Sequence, residues 1–193
     1  IMSRIARVIE LGYPYHVTQR GNNRQVVFFD DPDRNVYLDL LCKYSQECGC
    51  LIHAFCLMNN HIHLLASPES DYALSKMMHR LNVIFVQYFN RKYQRTGHLW
   101  ENRFYSGLVD KESYLWSVCR YIERNPIRGG LVQSPMQYKW SSVEVNTGLT
   151  AKSFIDPIWH WESERKGYEE FLNNEDSLKE LARIEFIRKT TSA

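Results

Sequence analysis

Residues 51–66 constrain this chain more than any other stretch. Two apolar runs, Leu51–Leu57 and His61–Ala66, have the composition of strands, and only Met58-Asn59-Asn60 separates them. A connection that short predicts a hairpin, and the rest of the chain must then cover its apolar side.

The flanking sequence supplies that cover. Asp30-Asp31-Pro32-Asp33 opens a helical pattern, with Pro in the first turn and acids at the positive end of the helix dipole. Val36, Leu38, Leu40, Leu41 and Tyr44 then recur at roughly helical spacing up to Gly49. On the other side, residues 72–95 form the longest helical pattern. Leu74, Met77, Met78, Leu81, Ile84, Phe85, Tyr88 and Phe89 supply an apolar stripe, and Lys76, Arg80, Arg91, Lys92 and Arg95 supply a basic remainder. Residues 13–20 and 103–109 read as two further strands, the first stopped by Gly21-Asn22-Asn23. Asp110 can cap a last helix from Lys111 to about Arg124, ended by Pro126.

The order is strand, helix, strand, strand, helix, strand, helix. It predicts an α+β fold: a ferredoxin-like antiparallel sheet with helices on one face, plus a helical C-terminal tail. Residues 1–145 are expected to form this domain. Residues 146–193 are expected to be a loop and helical extension packed on it, with a helix pair across 162–189.

Composition narrows the class. The chain has 193 residues, 44% hydrophobic and 24% charged, which excludes disordered and collagen-like chains. It contains no apolar run of membrane-spanning length and no signal-peptide pattern, so a soluble, cytoplasmic protein with no membrane partner is expected. The five cysteines, Cys42, Cys48, Cys50, Cys56 and Cys119, are read as free thiols. A zinc module built from Cys42, Cys48, Cys50 and a histidine is the structural alternative. The net charge of +2 is unevenly spread: residues 1–71 carry −2, residues 72–140 carry +7 and residues 141–193 carry −3. The basic middle suits a phosphate-rich partner, although a solvated helix face would look the same.

Three constellations can carry chemistry. His61 and His63 are two apart on a strand, so their imidazoles project together and can ligate one metal ion. Tyr121 and Asn125 are four apart on a helix and share a face. A tyrosine can be a nucleophile and an asparagine carbonyl a ligand, but packing and helix termination would use the same residues. Trp100 and Arg103 suit single-stranded nucleic acid, the indole stacking on a base and the guanidinium on a phosphate; a core Trp beside a surface Arg is the alternative. His16 and His53 lack a partner two residues away and are read as core or surface residues.

Four ordered segments together resemble a known family. They are Tyr15-His16-Val17-Thr18-Gln19-Arg20-Gly21-Asn22, Met58-Asn59-Asn60-His61-Ile62-His63-Leu64-Leu65, Leu99-Trp100-Glu101-Asn102-Arg103-Phe104, and Tyr121-Ile122-Glu123-Arg124-Asn125-Pro126 with the Ile127–Val132 run after it. The chain is similar to the REP-associated tyrosine transposases, which belong to the HUH single-tyrosine transposases of bacterial insertion sequences. The resemblance runs from about Tyr13 to Ser142 and is weaker in the tail. Two departures stand out: Asn59 takes the place of a proline, and Glu123 stands where a neutral residue is more usual.

The resemblance implies a metal-dependent endonuclease and strand-transferase acting on single-stranded or hairpin DNA. It implies that His61, His63 and Asn125 hold a divalent ion, Mg²⁺ or Mn²⁺, and that Tyr121 forms a covalent 5′-phosphotyrosine link. Monomer and homodimer are both compatible with it. A non-catalytic DNA-binding protein on the same scaffold is the alternative. The basic helix adds an expectation: Arg80, Arg91, Lys92 and Arg95 include phosphate contacts, each contributing a slope of about −0.7 to log affinity against log salt.

Overall fold

The computed structural model describes residues 9–109, 112–150, 154–157, 162–174 and 177–190. Its centre is a four-stranded sheet of β1 (Tyr15–Arg20), β2 (Cys50–Met58), β3 (His61–Pro68) and β4 (Tyr105–Leu108), in the order β2-β3-β1-β4. All three pairings are antiparallel, and with the intervening helices this is the ferredoxin-like topology.

Helix α1 (Asp31–Cys48) starts where the sequence predicts. Asp30 accepts from the Asp33 amide while Asp33 accepts in return from the Asp30 amide, a reciprocal cap with Pro32 in the first turn. Gly49 closes the helix in the left-handed conformation, with φ 70°. Helix α2 (Ala73–Lys92) stops short of the predicted residue 95, and Gln94 already has a φ of 51°. Helix α3 (Glu112–Glu123) is followed at once by the single turn of α4 (Asn125–Arg128). The predicted cap Asp110 lies outside the described residues. Three further helices complete the chain: α5 (Val143–Asn146), α6 (Glu162–Asn173) and α7 (Leu178–Thr190).

Alternation along the strands sorts the side chains into two cores. Val17, Ile62 and Leu64 face α1 and α2, where Tyr37, Leu41, Leu81 and Phe85 meet them with essentially no exposure. Each such aliphatic or aromatic side chain contributes roughly 1.5–3 kcal/mol when fully buried. Ala54, Cys56, Met58 and Leu65 project the other way, against Val118, Cys119 and Ile122 of α3. Tyr168 and Leu172 of α6 and Ile184 of α7 join this second core, so the tail helices pack on α3. Helices α1 and α2 thus cover one face of the sheet; on the other, α3 packs on β2 and β3, and α7 packs on β4 and β1.

The hairpin turn carries the first departure noted in the sequence. The Asn59 carboxamide oxygen accepts from Arg34 Nη2 at 2.6 Å, and the Asn59 carbonyl accepts from the Val27 amide at 2.8 Å. A proline ring would stiffen this turn from within. Asn59 instead fastens it from outside, to α1 and to the loop after β1.

Candidate active site

Strand alternation places the two histidines on the α3 side. Ile62 and Leu64 are fully buried toward α1 and α2, so His61 and His63 emerge from the opposite face, their ring centroids 5.0 Å apart. The β1–β3 register sets Thr18 opposite His63 and Arg20 opposite His61. His16, which the sequence reading left as a core or surface residue, belongs to the same cluster. It is 1% exposed, and its Nε2 lies 3.0 Å from His63 Nδ1. Its partner sits on a neighbouring strand, 47 positions away, and local spacing carries no signal for such a pair. His53 has a structural role: Nδ1 lies 2.7 Å from the Asp156 carbonyl and Nε2 lies 2.7 Å from Ser67 Oγ, and burial lowers its pKa.

The hydrogen bonds fix how the imidazoles can act. His61 Nδ1 lies 2.7 Å from Asn60 Oδ1, an acceptor, so Nδ1 carries the proton. This tautomer puts the ring lone pair on Nε2. For His63, donation from Nδ1 to His16 Nε2 has the same consequence. Ligating histidines are commonly held in this way, one nitrogen oriented by a neighbour and the other toward the ion. The donor set therefore fits a divalent cation. Among the described residues, no group of three or more His, Cys, Asp and Glu side chains is arranged to hold a metal, so a third protein ligand would have to be of another type.

Helix α3 brings Tyr121 to this face. Its ring meets His16 and His63 edge-on, at centroid distances of 5.8 Å in each case. Arg128, from α4, stacks on the Tyr121 ring with its guanidinium carbon 4.0 Å from the centroid. Arg128 also donates to the Tyr121 carbonyl. Asn125 Nδ2 donates to the same carbonyl at 2.9 Å. The amide nitrogen of Asn125 is thereby spent on capping α3, which leaves its carboxamide oxygen as the group able to accept a ligand. Tyr114, two turns earlier, is only partly buried and packs toward the tail-helix core. Tyr105 is on β4, 38% exposed.

Glu123, the second departure, is fully buried. Its carboxylate accepts from Ser142 Oγ at 2.7 Å, Asn146 Nδ2 at 2.7 Å and Tyr168 Oη at 2.8 Å. Burial nevertheless pushes its pKa up to about 7. Three residues outside α3, from α5, α6 and the segment before α5, converge on this one side chain. The tail adds more: Arg120 donates to Glu180 at 2.8 Å, and Arg124 donates to the Leu172 carbonyl at 2.9 Å.

Most of the residues read as DNA contacts do not gather at this site. Helix α2 lies across the sheet from the histidines, so Arg80, Arg91 and Lys92 are on the opposite layer. Arg80 pairs with Glu47 at 3.0 Å. Lys92 is held by Asp30 and by the fully buried Asp33, each at 2.7 Å, and serves the junction of α1 and α2. Arg95 donates to Gln25 at 2.7 Å. Trp100 is 8% exposed and packs on Tyr37 and Phe85, so its indole is core and not a stacking platform. Arg91 and Arg103 are exposed. All five cysteines are free thiols, and Cys50, Cys56 and Cys119 are buried.

Comparison with known proteins places the fold and the family. The family model described as "Transposase IS200 like" matches residues 11–125. A Haemophilus influenzae protein assigned as a REP-associated tyrosine transposase is 30% identical over 100 residues, which is 46% of this chain and 56% of that relative. The matched region thus spans little more than half of the relative's length. A solved structure of a REP-associated tyrosine transposase bound to a REP hairpin superposes with a TM-score of 0.64 at 16% identity, covering 83% of this chain and 96% of that one. At that identity the likeness speaks for the fold.

Proposed function

Since the chain belongs to the IS200-like transposase family, we propose that it cuts and rejoins single-stranded DNA through a covalent link to Tyr121. The observation that carries this reading is the seating of the Tyr121 ring against His16 and His63 on the one sheet face that also bears His61.

The chemistry follows from the residues. A phenol has a pKa of about 10 and attacks poorly unless it is held in line. Packing against two imidazoles and under Arg128 restricts the Tyr121 ring and so limits the directions from which its hydroxyl can attack. Attack by Tyr121 Oη on the phosphorus forms the P–O(Tyr) bond and breaks the bond to the 3′ oxygen. The phenolic proton is passed on, and the leaving 3′ oxygen ends protonated as a hydroxyl. The 5′ phosphate stays on the protein, so the same exchange run backwards rejoins a strand without an outside energy source. His61, His63 and the Asn125 carboxamide oxygen are the groups that would hold a divalent ion. Bound there, Mg²⁺ or Mn²⁺ would supply Lewis-acid polarisation of the scissile phosphate. The substrate we assign is a DNA hairpin with a single-stranded flank, by analogy with the hairpin-bound structural neighbour.

The test is a denaturing gel. Wild-type protein with labelled hairpin DNA and Mn²⁺ should give a covalent adduct. Tyr121→Phe should give none at unchanged stability, while Tyr114→Phe should keep it. An adduct that maps by mass spectrometry to another tyrosine sinks the assignment.

A further inference from the structure

The face that carries the histidines continues across the sheet as a row set by strand register. Tyr105 on β4 is opposite Thr18 on β1, and Thr18 is opposite His63 on β3. Directly opposed residues of antiparallel strands project to the same side. Tyr105 and His63 are therefore on one face, two strands apart, about 10 Å. The next row places Arg20 opposite His61. Two properties distinguish Tyr105 and Arg20. Tyr105 is 38% exposed, whereas Trp100 is buried. Of the α2-side cations, Arg80 and Lys92 are neutralised by Glu47 and by Asp30 with Asp33, and Arg91 is exposed on the layer opposite the histidines. Among the described residues, no hydrogen bond or ion pair engages the Arg20 guanidinium. Arg103 lies exposed just before β4 on the segment bonded to the end of β1, where the Glu101 amide donates to the Arg20 carbonyl at 2.9 Å.

We propose that Tyr105 and Arg20 form the track for the single strand that enters the site, Tyr105 stacking on a base and Arg20 holding a phosphate beside His61. This rests on the reading of the site as a DNA nickase. Thr18 between them is buried, so the strand runs over the accessible side chains at this end of the sheet, from the exposed Tyr105 ring past Arg20 to the half-buried His61. Phosphate attraction then works on the face where cleavage occurs, and helix α2 takes no part in it.

Binding of a fluorescein-labelled oligothymidylate, followed by anisotropy across a salt series, tests this directly. Arg20→Gln should weaken binding and flatten the slope of log affinity against log salt by about 0.7. Tyr105→Thr, which keeps strand propensity but removes the ring, should weaken binding roughly five- to 150-fold. Tyr105→Phe should bind as wild type, because stacking needs the ring and not the hydroxyl. Circular dichroism and thermal midpoints identify any variant that has not folded, and Arg20→Lys then supplies a second test of the charge. Wild-type affinity and slope in folded Arg20→Gln, or wild-type affinity in Tyr105→Thr, overturns the track. Adduct formation reports separately on the nickase. An adduct with unchanged binding in both variants removes the track alone, and binding losses with no adduct in wild type remove the nickase reading. Absence of wild-type binding removes both.

Discussion

His16 and His63 meet across the β1–β3 pairing, nitrogen to nitrogen at 3.0 Å, so one imidazole sets the orientation of the other. His16→Ala should therefore raise the Mn²⁺ concentration needed for half-maximal adduct formation by about 10- to 100-fold, as loss of an orienting partner does at other metal sites. His16→Gln, which can still accept through its carboxamide oxygen, should recover part of it. A metal titration that is the same in His16→Ala and wild type would show that the contact is packing only.

His61→Ala and His63→Ala should each abolish the adduct and leave the circular dichroism spectrum near wild type. The apolar side of β3 is carried by Ile62 and Leu64, which these substitutions do not touch. Cleavage at the wild-type rate by either variant contradicts the two-histidine site.

Glu123 makes stability depend on pH in an uncommon direction. Burial raises its pKa from 4.5 to about 7, so between those values the folded chain holds a proton that the unfolded chain has released. Stability should fall as pH rises through that window, by roughly 3 kcal/mol in all, and should level off above it. Glu123→Gln can accept from Ser142 and Asn146 through its carbonyl and donate to Tyr168 through its amide. It should flatten this dependence while keeping the fold. Urea unfolding at several pH values measures both, and a stability in the wild type that rises from pH 5 to 7 would count against the assignment.

Lys92 should matter to stability and not to DNA. Its removal leaves the buried Asp33 carboxylate without its cation, although Tyr88 and Tyr93 still donate to it. Lys92→Met should cost about 1–3 kcal/mol in urea unfolding, with the salt slope of oligothymidylate binding unchanged. A shallower slope at wild-type stability would return Lys92 to the DNA interface.

Much of the fold was legible because its signals are local. The Asp30 cap, Gly49, the short turn at Asn59-Asn60 and the apolar stripe of α2 each act within a few residues, and the elements begin and end close to where those signals lie. The pairing of His61 with His63 was legible for the same reason, since strand period alone puts them on one face. What escaped was what the third dimension decides. His16 has no local partner and gains one through the register. Nothing local marks Arg20 as the residue opposite His61, which only the strand register decides. The basic stripe of α2 reads as a DNA surface until packing shows that the apolar side of the helix lies on the sheet face opposite the site, so the stripe points away from the site, and that Lys92 answers Asp30 and Asp33 at the start of α1. Glu123 reads as an oddity in the sequence because its three donors come from α5, α6 and the segment before α5.

Arg34 reaches from α1 to the Asn59 carboxamide, and this ties the tip of the hairpin to a helix on the far side of the sheet. Side chains alternate along β3, so adding or losing one residue there would send both imidazoles into the layer that Ile62 and Leu64 now fill. With its tip anchored, the hairpin cannot absorb such a change by sliding. Descendants of this sequence can exchange side chains in the hairpin one at a time, but its length is inherited whole.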